Sequence, residues 1–88
     1  MTAVKRIYAD FNSVDGAICW CLCYGSPRRS LDNVAEELRL RDGMHVVLYY
    51  EDPSEEFEVS GTLIEQPIGA VPRWHTRADW TTRKQLRG

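Results

Sequence analysis

Three thiols at every second residue, Cys19, Cys21 and Cys23, form the spacing in this 88-residue chain that most invites chemistry. On a strand, next-but-one residues point the same way and lie ~6.5–7 Å apart. A disulfide needs Cβ atoms ~3.8 Å apart, so neighbouring thiols of this run are badly placed to bond each other. Zinc sites more often use two-residue spacing in a turn, and a fourth ligand here would have to come from His45 or His75 on another strand. The plainer reading is three small, buried, free cysteines. No metal or cofactor is therefore expected, and a metal- or redox-linked role of the cluster stands third among the functions considered.

Other chemistry-bearing residues are less organised. His45 and His75 are the only histidines, and neither sits in a recognisable nucleophile motif. Glu51, Asp52, Glu55, Glu56 and Glu58 would attract a hard cation, but they lack the glycine and ligand spacing of a calcium loop. They read instead as the solvated tip of a hairpin. No catalytic residue is assigned, and an enzyme is not expected.

The C-terminal end interleaves rings with cations: Trp74, His75, Arg77, Trp80, Arg83, Lys84 and Arg87. Such a surface can stack the bases of single-stranded nucleic acid and hold its phosphates. Against this, the formal net charge is −2. The charge is also unevenly spread. Six carboxylates and no Lys or Arg lie between Glu51 and Glu65, while five cations face one carboxylate from Arg73 to Gly88. Opposite charges that meet across neighbouring strands, or simply face water, are the plain reading of that pattern. Tyr8, Trp20, Tyr24, Tyr49, Tyr50, Trp74 and Trp80 exceed what so small a core easily hides, and exposed aromatics favour interfaces. The expected function is a non-catalytic module that binds protein, including a second copy as a homodimer. RNA or single-stranded nucleic acid is the alternative. The candidate surface is Tyr49, Tyr50, Trp74, His75, Arg77, Trp80, Arg83, Lys84 and Arg87.

These residues must be positioned mainly by strands. Met44 to Tyr50 is a consecutive β-branched, aliphatic and aromatic run; Phe57 to Glu65 alternates with period two. Between them Glu51 to Glu56, with Pro53, makes a loop. Placing Val46 and Leu48 on the face of Val59 and Gly61 sets Tyr50 opposite Phe57; a slip of one residue would bury Val47 and Tyr49 instead. Gly61 within a strand marks a bend, a bulge or a close neighbour.

Residues 4–12 form a first strand, with Ile7, Ala9 and Phe11 sharing a face, and Asp15-Gly16 signals a hairpin. Residues 17–24 form a second strand. Its large side chains Ile18, Trp20, Leu22 and Tyr24 are expected inward, with the three cysteines on the other face. Ser30 is a plausible N-cap for a helix over Leu31 to Leu38, whose apolar residues recur at helical spacing. Two turns cannot stand alone in water, so this helix must be docked. A last short strand spans 73–79, with Trp74, Thr76 and Ala78 opposite His75, Arg77 and Asp79. One β-barrel domain over 1–80 is expected, with 81–88 as a flexible, polar, basic tail.

The order of five short strands, with a bend in the fourth, resembles SH3-like small β-barrels. Leu40-Arg41-Asp42-Gly43-Met44-His45-Val46-Val47-Leu48-Tyr49 resembles the charged turn, glycine and strand that open one strand of such barrels. The wider pattern of the central hairpin and Asp79-Trp80 is similar to small bacterial single-domain proteins. That resemblance implies a fold class, mainly β with one short helix and a five-stranded antiparallel barrel (SH3-like or another small type). It does not imply an activity.

An apolar run near the ~20 residues of a membrane span is absent, and no leader is read in the first ten residues. Clustered odd cysteines do not resemble a secreted disulfide framework. No membrane partner and a cytoplasmic location are the resulting expectations.

Overall fold

The computed structural model describes residues 4–11, 14–20, 22–25 and 27–87. In chain order it has β1 (Arg6–Ala9), β2 (Val14–Asp15), β3 (Ile18–Cys19), β4 (Leu22–Tyr24), β5 (Arg29–Ser30), α1 (Leu31–Leu38), β6 (His45–Glu51), β7 (Glu56–Glu65) and β8 (Trp74–Arg87). The protein is mainly β with one short helix, as its pattern predicts.

The strands share one sheet in the order β2-β3-β8-β7-β6-β1-β4-β5. Near opposite ends of that order lie β3 and β4, yet only two residues separate them in sequence. Three peptide steps span at most roughly 11 Å. The sheet must therefore curl until its two ends approach, which gives a half-barrel. It is not the all-antiparallel barrel expected. β1 runs parallel to β6, with Ile7 level with Leu48 and Tyr8 with Tyr49. Parallel neighbours need a long crossover, and the stretch containing α1 is part of that connection.

The same corner corrects the reading of residues 17–24 as one strand. β3 pairs with β8, whereas β4 pairs with β1. A strand that changes partners at a corner also changes which face meets the core. Cys19 is fully buried and Leu22 nearly so, while Trp20 is 36% exposed. The large side chains do not form one inward face. Cys21 lies outside the described residues.

The central hairpin adopts the register its alternation predicts. Val46 faces Gly61, Leu48 faces Val59, Tyr50 faces Phe57, and a further pair, Glu51 with Glu56, shortens the loop to 52–55. Val46 and Leu48 are fully buried, and Val59 and Leu63 nearly so. Each such burial contributes about 1.5–3 kcal/mol. Gly61 marks a close neighbour: a Cβ there would lie 2.9 Å from a Leu48 methyl.

The helix spans the residues its spacing predicts, with Leu31 and Val34 buried against the sheet and Ser30 at the N-cap position without a side-chain cap bond. It ends in a Schellman motif. Arg39 N–H donates to Glu36 O at 3.1 Å and Leu40 N–H to Ala35 O at 3.0 Å. The left-handed position of that motif, usually glycine, is Arg39 at φ 54°.

At the last strand, Trp74, Thr76 and Ala78 are buried, and His75, Arg77 and Asp79 face outward. The segment from Thr81, expected to leave the fold as a tail, instead continues β8 to Arg87 beside the start of β7. Phe57 pairs with Gln85 and Glu58 with Lys84. An irregularity between Glu58 and Ser60 is held by side chains: Ser60 N–H donates to Thr82 Oγ1 at 2.8 Å, and Thr81 N–H and Oγ1 both donate to Asp79 Oδ1.

Candidate interaction surface

The curl of the sheet brings together aromatic residues that are distant in sequence. Tyr8 of β1 meets Tyr49 and Tyr50 of β6 at ring separations of 5.6 and 6.1 Å. Tyr50 continues to Phe57 at 5.6 Å, and Phe11 bridges Phe57 to Trp80 at 5.1 and 5.2 Å. The row therefore runs across four strands. Tyr49, Tyr50 and Trp80 were legible as surface candidates. Tyr8 was legible only as a large aromatic, and Phe11 and Phe57 as core-facing alternation. Their meeting depends on the β1–β6 parallel pairing and the corner.

Much of this row is closed to stacking. The Arg28 guanidinium lies 3.7 Å from the Tyr8 ring centre, Arg83 lies 4.3 Å from Phe57, and Arg6 lies 4.5 Å from Tyr49. Each guanidinium is also held by a carboxylate: Arg28 by Glu51 at 3.2 Å, Arg83 by Glu55 at 2.8 Å, Arg6 by Glu58 at 3.4 Å. Three ring–arginine–glutamate stacks thus cover Tyr8, Phe57 and Tyr49, while Trp80 at the end of the row is 41% exposed. Each combines a cation–π contact with an ion pair.

The same pairing accounts for the two-ended charge of the sequence. Arg87 donates to the backbone carbonyls of Asp52 and Pro53 and lies 3.8 Å from Glu56, and Arg73 pairs with Glu65. The acidic loop and the basic arm meet across β7 and β8. Of the nine candidate surface residues, Trp74 is 5% exposed and belongs to the core, where its parity with Thr76 and Ala78 places it. His75 is half-buried on the outer face and Arg77 exposed, on a different part of the sheet from the row. Lys84 is exposed opposite Glu58. The nine do not form one surface.

Among the described residues, the thiols of Cys19 and Cys23 and the two imidazoles also stay apart. Cys19 lies opposite Thr76 on β8. Burial pushes its thiol pKa up, and the facing Thr76 hydroxyl offsets this only in part. Cys23 is half-buried in β4. His45 sits opposite Thr62 and His75 opposite Ile64. Among the described residues no three His, Cys, Asp or Glu side chains come together as a metal set.

A second surface was not anticipated. Beside the N-terminal end of α1, Trp20, Leu22, Cys23, Leu31, Pro72 and Trp74 line a cleft of about 190 Å³, with Ser30 and Asp32 at its polar side. Ligand sites for small molecules run to roughly 300–1,000 Å³, so this cleft suits one inserted side chain better than a cofactor. The loop that supplies Pro72 is closed at its base by Gln66 N–H donating to Arg73 O at 2.8 Å. It is tied to the helix by Arg73 N–H donating to Asp32 at 2.8 Å. That anchored loop carries Ile68 and Val71, which are 90% and 91% exposed. Although they are apolar residues between Pro67 and Pro72, they cover nothing among the described residues.

No helix among the described residues is long and apolar enough to cross a membrane. The chain matches no protein-family model, no curated protein and no solved structure.

Proposed function

We propose that the protein is a non-catalytic interaction module that captures a segment of a protein partner at the Trp20 cleft. The observation that carries this reading is the placement of uncovered apolar surface. Three rings of the aromatic row are covered by its own arginines, whereas Trp20 lines a cleft of side-chain size with no cation over it among the described residues, next to the loop that carries the exposed Ile68 and Val71. A large aromatic at the rim of an apolar pocket is the arrangement of an interface anchor site. The segment that fits carries one aliphatic or aromatic anchor. A basic residue beside the anchor would face the Asp32 carboxylate. The SH3-like likeness of the sequence adds a fold-level analogy to other small β-modules.

Selection of a random peptide display library on the purified chain tests this. Selected peptides should share an apolar anchor with a neighbouring Lys or Arg. Trp20→Ala should weaken them more than tenfold, since loss of an interface tryptophan costs ~2 kcal/mol or more. Arg83→Ala, on the covered row, should leave them unchanged. Peptides that bind Trp20→Ala as well as the parent would overturn the site. Light scattering at low and high concentration shows whether a second copy is itself a partner. A labelled single strand titrated at two salt concentrations should bind weakly with a small salt slope, because Arg83 and Arg87 are already engaged by carboxylates and carbonyls and leave that surface only Arg77 and Lys84 without an ion pair among the described residues.

A further inference from the structure

The cations of this chain are not uniformly compensated. Eleven Lys and Arg residues are present. Among the described residues, six of them, Arg6, Arg28, Arg29, Arg73, Arg83 and Arg87, form ion pairs. Of the remaining five, Lys5, Arg39 and Arg41 line a single cleft of about 520 Å³ at the C-terminal end of α1. The other lining residues are Leu38, Leu40 and Met44, half-buried side chains that pack against the core from this side. The cleft therefore has an apolar floor and a cationic rim. Its size falls within the range of small-molecule sites.

One backbone feature adds to the charge pattern. Arg39 occupies the left-handed position of the Schellman motif. Glycine takes that position without strain, and an L side chain does not. Among the described residues no other non-glycine residue has a positive φ. A strained residue that a smaller one would relieve is a reason to ask what its side chain does. Here the side chain lines the cleft.

We infer that this cleft binds a small amphiphilic anion, a carboxylate or phosphate carried on an aliphatic chain, with the charged head at Lys5, Arg39 and Arg41 and the chain on Leu38, Leu40 and Met44. The inference goes beyond the peptide reading and concerns the opposite end of α1, so either can fail alone. Both halves of the ligand are needed. An anion without an apolar body leaves the floor wet, and an apolar body without charge leaves the cations without a partner.

Titration calorimetry with octyl phosphate and octanoate below their micellar concentrations tests it, with inorganic phosphate and octanol as the half-ligands. Binding is expected for at least one amphiphile and for neither half-ligand, and it should weaken as salt rises. The amphiphile that binds identifies the head group. Arg41→Gln should weaken binding about tenfold, the scale of one charge-assisted contact. Arg39→Gly gives the separating readout. It should bind about tenfold more weakly while its melting temperature stays level or rises, because the strain is removed. No binding by either amphiphile would overturn the inference. Equal binding by the parent and both variants, or equal binding by inorganic phosphate, would overturn it as well.

Discussion

The aromatic row and the Trp20 rim are built from the same kinds of side chain and finished in opposite ways. Across the row, Tyr8, Tyr49 and Phe57 each have a guanidinium over them and each guanidinium has a carboxylate beside it, whereas Trp80 at the row's end is 41% exposed. Among the described residues, Trp20 at the rim and Ile68 and Val71 on the adjoining loop have neither. The arginines repeat the contrast: those over the rings are paired, while Arg39 and Arg41 beyond the helix make no ion pair among the described residues. Residue type alone does not mark a binding surface. What marks it is whether the fold has already supplied a partner. The row is a means of holding β1, β6, β7 and β8 together, and the rim is where we propose that a partner is added.

The sharpest way to break that comparison is to delete one ring from each region. Phe57, 6% exposed, belongs to the row, and Phe57→Ala should cost about 3–5 kcal/mol in thermal or denaturant unfolding. Trp20→Ala should cost no more than about 1 kcal/mol, as an exposed substitution does. Equal losses would make the Trp20 cleft part of the core and remove the distinction.

Next in size is Gly61, on which the register beneath the row depends. Gly61→Ala sets a methyl 2.9 Å from one Leu48 carbon and 3.0 Å from another. Overpacking of this kind costs roughly 1–3 kcal/mol. The penalty should shrink when Leu48→Ala is made in the same chain, because the contacts are with that side chain. A double-mutant cycle reads this directly, and additive effects would place the strain elsewhere.

The sequence carried this hairpin well. Alternation in residues 57–65 and the proline at 53 were enough for its register, because a slip of one residue exposes a whole apolar face. The helix was legible for a similar reason, since Leu31, Val34, Ala35 and Leu38 repeat at helical spacing. The cysteine strand was read wrongly because alternation assumes one partner on each side. Residues 18–19 and 22–24 have different partners, and the corner between them is a property of the closed-up sheet, not of any local pattern. The continuation of β8 past Trp80 was hidden for another reason. Residues 81–87 are exposed throughout, so no apolar period betrays them, and they are held by the ladder to β7 and by Arg83 and Arg87 on the acidic loop. Of the candidate surface, the rings and cations could be found from their types. Which of them cover one another could not, because that depends on which strands are neighbours.

Charge compensation gives a smaller test. Arg28→Ala removes a cation from above Tyr8 and beside Glu51, in an exposed setting. The expected loss is about 1 kcal/mol or less, and it should diminish as salt is added. Arg41→Ala removes a cation that makes no ion pair among the described residues, so its stability should match the parent at every salt concentration. A salt-dependent loss at Arg41 would reveal a compensating partner and erase the contrast between the two groups of arginines.

The faintest effect lies at the end of the row, where it joins the hairpin tip. Asp52 accepts from the Ser54 hydroxyl and backbone, from the Tyr50 hydroxyl and from the Glu55 backbone, at 2.8 to 2.9 Å. These donors, Ser54 first, hold its carboxyl below the usual aspartate pKa. The bond to Asp52 likewise raises the Tyr50 phenol above its ordinary value. A carboxyl lowered in the folded state contributes stability above its unfolded pKa, and that contribution is lost as pH falls through the folded value. Removing the Tyr50 donor by Tyr50→Phe should therefore move the Asp52 titration, followed by carboxyl NMR, toward the ordinary aspartate range. The stability gap between the variant and the parent should then be widest near neutral pH and close in acid. An Asp52 titration that does not move would detach the hairpin tip from the aromatic row, and the row would then end at Phe57 and Trp80 instead of reaching the acidic loop.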